Sequence, residues 1–263
     1  TEEVVVNSPA TGEVVGRAAL GDSRDLAKAV DAARRTFDQG VWRDTDPKER
    51  GEVLRRASEL LEERGDELAV GIPSELGCPI WFSQAAHVPN PIRHTAYYGD
   101  LASSYEFEEV RTDGTNRSLV VQEPVGVAAG IVPWNGPLIG PSLKIAPALA
   151  AGCSIVLKPA PETPFSAYAF ADVMTEAGLP KGVLSIVPAG REAGQSLVDN
   201  PGVDKIAFTG STAAGKQIAA SAAARVARVT LELGGKSAAI VLDDADLDAT
   251  IAKLLPMALN VNG

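Results

Sequence analysis

Asn135, Lys158 and Glu232 differ in chemistry but stand at comparable places in the chain, each just past or at the end of a short apolar run: Pro133-Trp134-Asn135-Gly136, Lys158-Pro159 and Glu232-Leu233-Gly234-Gly235. Two further runs end in Pro188-Ala189-Gly190 and Thr209-Gly210-Ser211. Together these tips supply an amide, a cation, a carboxylate, two hydroxyls, an aromatic ring in Trp134, and glycines that let a ligand approach the backbone. They are the ingredients of a small-molecule site. Each has a plainer reading as well: Glu232 as a solvated strand-end carboxylate, Asn135 and Ser211 as helix caps, Lys158 as a strand-terminal cation and Trp134 as a packing residue.

One stretch spells something more specific. From Gly210 to Lys216 the sequence reads G-x-x-x-x-G-K, the start of a phosphate-binding P-loop. That motif needs a Ser or Thr next, whose hydroxyl coordinates magnesium, and Gln217 stands there instead. The Gly234-to-Ser237 stretch GGKS has the Lys and Ser but carries Thr230 where the first glycine belongs. An ATP site is therefore disfavoured. Metal chemistry is equally unsupported: His87 and His94 lie outside any Glu-x-x-His or cysteine context and read as surface residues. Cys78 and Cys153 have no neighbouring base in sequence, and Cys153, just before an apolar strand, reads as a small buried hydrophobe.

Composition narrows the class. The 263 residues suffice for one large or two smaller domains, 45% are hydrophobic, and the net charge of -10 disfavours nucleic acid or an anionic membrane as partner. The apolar runs are too short to span a bilayer, and no secretory leader is visible. Two cysteines in such a length suggest a reducing, cytoplasmic compartment. The chain opens on Thr1, which suggests a clipped product.

The elements that must position the tips follow from pattern. The first hundred residues read mainly as helices, with Ser23 capping one that carries Leu26, Val30, Ala33 and Phe37 on one face, and Asp46-Pro47 opening another. Tyr105 to Glu123 reads as a charged hairpin around Asp113-Gly114, either a subunit-contact arm or simply a solvated hairpin. After Val125, five strand-like runs alternate with four helices, which predicts a parallel sheet with helices on both faces and ligands beyond the strands' carboxyl ends. No G-x-G-x-x-G follows the first of these strands, so a dinucleotide would be gripped differently from the usual way.

The tips, quoted as PWNG, KPAPETP, FTGST and LELGGKS, resemble in order four motifs of the aldehyde dehydrogenase superfamily, and NSPATGEVVG extends the likeness over essentially the whole chain. The resemblance implies an α/β, Rossmann-like fold with a projecting hairpin arm, and oxidation of an aldehyde to a carboxylic acid with NAD or NADP through a cysteine thioester. It casts Glu232 as the general base for water and Asn135 as an oxyanion donor. The implied cofactor-binding set is Ile131, Val132, Pro133, Trp134, Lys158, Pro161, Gly190, Gly194, Thr209, Gly210, Ser211, Leu233 and Gly234, and no metal is implied. Within it, Lys158 resembles a ribose-binding lysine, Gly210 and Ser211 the turn under the phosphates and nicotinamide end, Leu233 a backbone contact to the carboxamide, and Gly190 with Gly194 the helix entry under the adenosine, although the loop there is one residue short. Pro161 stands where the family often carries a Glu that repels a 2′-phosphate, so similar affinity for NAD and NADP is expected.

The family nucleophile follows G-Q-x-C, and this chain ends at Asn262-Gly263 before any such cysteine. The expectation is a fragment, inactive by itself: residues 1–104 and 124–236 forming a dinucleotide-binding domain, 105–123 an oligomerisation hairpin giving a homodimer or homotetramer, and 237–263 the opening of a catalytic domain, with the first strands also missing. The alternatives are a non-catalytic nucleotide-binding or oligomerisation module, and a magnesium-dependent ATPase or kinase.

Overall fold

The computed structural model describes residues 2–259. The chain opens with an antiparallel pair, β1 (Glu2–Asn7) and β2 (Val14–Leu20). The β-branched runs Val4 to Val6 and Val14-Val15 favour the pleated backbone, and Val6 and Ala18 are the side chains it buries. The helices α1 (Ser23–Asp38), α2 (Pro47–Glu63), α3 (Gly65–Leu76), the short α4 (Ile80–Phe82), a π-helical turn over Ser83–His87, and α5 (Pro89–Ser104) come next. Asp22, not Ser23, caps α1: its carboxylate accepts from the Arg24 N–H at 2.8 Å and the Asp25 N–H at 3.0 Å, while Asp25 reaches back to the Asp22 N–H. A carboxylate one residue earlier outcompetes the hydroxyl because it also complements the positive end of the helix. Asp46 and Pro47 open α2 as expected.

The histidines are not surface residues. His87 is 2% exposed with neither ring nitrogen hydrogen-bonded, and burial lowers its pKa. His94 is half-buried, its Nδ1 3.0 Å from Ser142 Oγ. The cause is tertiary: the π-turn packs on α3, and α5 packs on the helix that follows the first sheet strand.

The hairpin consists of β3 (Glu108–Thr112) and β4 (Arg117–Val121), paired in register from Glu108 opposite Val121 to Thr112 opposite Arg117. Nearly all of it is exposed. Asp113 organises its turn by accepting from the Thr115 and Asn116 N–H groups at 2.9 and 2.7 Å.

The alternating region builds the sheet. In chain order it runs β5 (Val127–Ile131), α6 (Ile139–Ala150), β6 (Ser154–Lys158), α7 (Phe165–Glu176), β7 (Leu184–Ile186), α8 (Arg191–Asp199), β8 (Lys205–Gly210), α9 (Thr212–Ala223) and β9 (Arg228–Leu233). All pairs are parallel, in the order β7-β6-β5-β8-β9. Alternate residues point to opposite faces, so Ala128, Ile155 and Leu157 join a core with α2, α6 and α7, whereas Val127, Ala129, Val156 and Ile206 join a second core with α1, α8 and α9. Strand order reverses between β5 and β8, the place where helices depart to opposite faces and a crevice opens. Beyond β9 lies α10 (Leu247–Ala258), none of whose side chains is buried.

Candidate functional site

On the α8/α9 face, the carboxyl ends of β5, β6 and β8 meet the first turns of α8 and α9 around a cavity of about 370 Å³. Ile131, Lys158, Gly194 and Ser211 of the expected set line it, together with Arg191 and Gln217, which sequence reasoning did not single out as ligand contacts. The side chain of Lys158 is the best-buried charge here, 8% exposed. Its Nζ donates to Ala189 O at 2.6 Å and to Pro159 O at 3.1 Å. Burial draws its pKa down to about 8, against an upward pull from the Glu162 carboxylate. A strand-terminal cation would be solvated; this one is held across the cavity floor. Its stem needs Gly194, where a Cβ would lie 3.2 Å from Lys158 Cδ.

Ser211 caps α9, accepting from the Ala214 N–H at 3.2 Å. Gly210 is required because the Phe208 ring folds back beneath it, 2.5 Å from where a Cβ would stand. The P-loop spelling is coincidental: α9 begins at Thr212, so the residues between Gly210 and Gly215 are mostly helix and cannot wrap a phosphate as a loop. The GGKS stretch fails too, since α10 starts only at Leu247.

The opposite face holds different chemistry. Asn135 sits exposed in the turn after β5, and its carboxamide makes no hydrogen bond among the described residues. It is not the cap of α6, which has Leu138 at that place. Glu232, opposite Thr209 in the ladder, is exposed on β9. Val229 and Leu231 pack toward α9, so alternation turns Glu232 toward the α6 face. Lys144 of α6 rises on that face, its Cβ beside Gly130. Burial lowers its pKa, and the Glu232 carboxylate opposes that shift, so the two groups sense each other. Sequence reasoning missed Lys144, though a signal existed: it is the one charged residue in the apolar helix IGPSLKIAPALA.

The remaining expected residues divide. Val132 is a core residue packed on Gly140, with its N–H given to Lys158 O at 3.2 Å. Pro133, Pro161, Gly190, Thr209 and Gly210 are half-buried around the strand tips, and Leu233 packs over Gly215. Gly234 is exposed beyond β9. Trp134 faces away, into a separate cavity with Val6, Leu76, Glu162 and Thr163, and its carbonyl accepts from Thr163 Oγ1 at 3.1 Å. Both cysteines are buried, and burial raises both thiol pKa values, which disfavours a thiolate at either. The expectation attached to Asn262 and Gly263 lies outside the described residues, as do Thr1 and the last part of the 237–263 segment. Among the described residues no group of His, Cys, Asp and Glu could hold a metal, and no helix is long and apolar enough to cross a membrane.

One face therefore offers a cavity that holds a cation against glycine, the other a carboxylate with a half-buried lysine, and the turn after β5 an unpaired amide. The first suits the phosphates and sugars of a nucleotide; the second suits proton abstraction, and the third stabilisation of an oxyanion. A family model described as "Aldehyde dehydrogenase family" matches residues 1–263. Over 263 residues the chain is 44% identical to geranial dehydrogenase of Castellaniella defragrans, covering 55% of that protein. Among solved structures, an aldehyde dehydrogenase of Mycobacterium tuberculosis complexed with NAD+ superposes with a TM-score of 0.91 at 46% identity, over 95% of this chain and 52% of the other. Betaine aldehyde dehydrogenase of Staphylococcus aureus, in complex with NAD+, gives 0.92 at 34% identity, over 97% of this chain and 51% of its own. The chain spans about half the length of the relatives it matches.

Proposed function

This chain belongs to the aldehyde dehydrogenase family, and we propose that its sheet edge is the cofactor-binding and water-activating part of an enzyme that oxidises an aldehyde to a carboxylic acid with NAD(P)+. The observation that carries the reading is the division of labour across the sheet: a cavity floored by Lys158 on one face, and Lys144 with Glu232 on the other.

The residues present fit a dinucleotide. Lys158 would hold a ribose, Gly194 leaves room for it, and the first turns of α8 and α9 border the cavity. When bound, NAD(P)+ supplies the hydride acceptor. The protein's own contribution lies in the turn after β5 and on the α6 face. Asn135, free of internal hydrogen bonds, donates its amide N–H to the oxygen of an aldehyde as a thiolate attacks the carbonyl carbon. Glu232 takes a proton from the water that hydrolyses the acyl group, and its carboxylate opposes the lowering of the Lys144 pKa by burial. Neither Cys78 nor Cys153 is the nucleophile, both being buried with raised thiol pKa values. The 263-residue chain by itself is therefore expected to bind dinucleotide and to turn over no aldehyde.

Residues 1–104 and 124–236 are read as one dinucleotide-binding domain, and 237–263 as the start of a catalytic one. The exposed hairpin is read as an arm for a homodimer or homotetramer, supported by its almost complete exposure and the apolar Val110, Leu119 and Val121 on it. A cytoplasmic location rests on the two free thiols. Calorimetric titration of the chain with NAD+ tests the central reading, with propanal turnover alongside. Binding without turnover is the expected result; no binding of either dinucleotide would overturn it.

A further inference from the structure

Ser83 and His87 lie in the same π-helical turn, both side chains buried, and neither the Ser83 hydroxyl nor either ring nitrogen of His87 has a hydrogen-bond partner. Unsatisfied polar atoms gathered in one turn are unusual in a folded chain, and each favours a solvated state. The backbone explains why the hydroxyl finds no acceptor behind it. Pro79 O already accepts the N–H groups of Phe82 at 3.0 Å and Ser83 at 3.1 Å, which uses both of its lone pairs. The Ser83 carbonyl in turn accepts the Val88 N–H at 3.0 Å and closes the turn.

Prolines bracket the stretch. Pro79 and Pro89 have no N–H to give to a helix, so residues 80–88 are tied to their neighbours by few backbone bonds and form a unit that can open by itself. An aromatic column runs through this unit. Trp81, 56% exposed, lies edge-to-face with Phe82 at 5.5 Å between ring centres, and Phe82 likewise with His87 at 5.3 Å. The column begins in solvent and ends on the buried imidazole, so opening starts from a side that is already wet.

The helices α3, α4 and α5 pack against the turn. On α3, Asp66 and Glu67 are exposed and Glu75 is engaged by Ser166, while Arg64 just before it is paired with Glu176. On α5, Arg93 and Asp100 are exposed and His94 is engaged by Ser142. The residues of α4 carry no charge. Burial is the one cause that moves the His87 pKa, and it moves it down.

We infer that residues 80–88 form an acid-opened latch: the neutral His87 ring lets the π-turn stay packed between α3 and α5, and a proton on that ring drives the turn into solvent. These residues contribute nothing to the Lys158 cavity, so the latch stands independently of the dinucleotide reading. The direction follows from linkage. The open form takes up a proton at the ordinary histidine value of 6.5 and the closed form only at a lower one, so the closed latch keeps its full stability above 6.5 and loses it as pH falls toward the lower value. With one proton bound on opening, the opening constant rises about tenfold per pH unit across that window.

Hydrogen exchange of the 263-residue chain, corrected for intrinsic rates and followed from about pH 7.5 to about pH 5, reads this amide by amide. Protection within residues 80–88 is expected to fall about tenfold per pH unit once below 6.5, while amides of β5 and β6 keep theirs. In His87→Phe, which keeps a ring against Phe82 but binds no proton, the fall should vanish. His87→Leu makes the same comparison with a smaller side chain. The chain has 2 histidines, so in His94→Gln the remaining imidazole NMR signal belongs to His87; it should titrate below 6.5. Titration at or above that value overturns the latch, as does undiminished protection in the parent or an acid loss that persists in both His87 variants. A loss shared equally by β5 and β6 overturns it too, because that is global unfolding.

Discussion

Replacing Lys158 with Met should make the stability of this chain depend differently on pH, and the size of the effect follows from burial. Lysine ordinarily titrates at 10.5, and burial brings Lys158 to about 8. Between these values the unfolded chain binds a proton that the folded chain does not, so stability rises with pH across the window. The contribution is complete above pH 10.5 and lost as pH falls through about 8. At about 1.36 kcal/mol per pH unit the full swing is about 3 kcal/mol. Methionine has no proton to exchange. The stability difference between parent and Lys158→Met should therefore shift by about 3 kcal/mol from pH 7 to pH 10.5 in favour of the parent. Other groups titrating in this range are common to both chains and cancel in the difference. The two lost bonds to Pro159 O and Ala189 O offset part of any gain at pH 7, at about 1 kcal/mol each, but do not alter the slope. Urea unfolding of both chains at half-unit steps of pH measures it. Parallel curves would mean that Lys158 is as well solvated in the folded chain as in the unfolded one.

Other perturbations read different parts of the molecule. Glu75 is 2% exposed and caps α7 from a distance, accepting from the Phe165 and Ser166 N–H groups at 2.9 and 3.0 Å and from the Ser166 hydroxyl; Glu75→Ala strands these donors and should cost about 3 to 5 kcal/mol in urea unfolding. Val226 holds a φ of 57° while 89% exposed, so Val226→Gly should relieve left-handed strain and raise stability by about 1 kcal/mol, a gain that an unchanged melting temperature would disprove. In the whole enzyme to which we assign this chain, Glu232→Gln should preserve a one-equivalent NADH burst in rapid mixing and slow the steady state, whereas a vanished burst would move Glu232 to an earlier step. Asn135→Ala should instead suppress the burst, one oxyanion donor being worth about 3 kcal/mol.

Much of the fold was legible because its signals are local. Five apolar runs alternating with helical segments after Val125 pair in parallel with crossovers on both faces, and this puts the tips holding Asn135, Lys158, Ser211 and Glu232 on one sheet edge. The hairpin with its Asp113 turn and the Asp46-Pro47 helix start were readable for the same reason: dihedral preference and capping act within a few residues. What the sequence could not decide was everything that depends on distant neighbours. Burial of His87, the cap on α7 supplied by Glu75 ninety residues earlier, and the proximity of Lys144 to Glu232 all join segments whose separation leaves no periodic trace. Strand alternation says that successive side chains point to opposite faces, but not which helix covers which face. That choice, made when α6 and α9 packed on opposite sides of the sheet, set Lys158 and Arg191 in one cavity and Asn135, Lys144 and Glu232 outside it, because side chains a few residues apart meet different surroundings when a sheet lies between them.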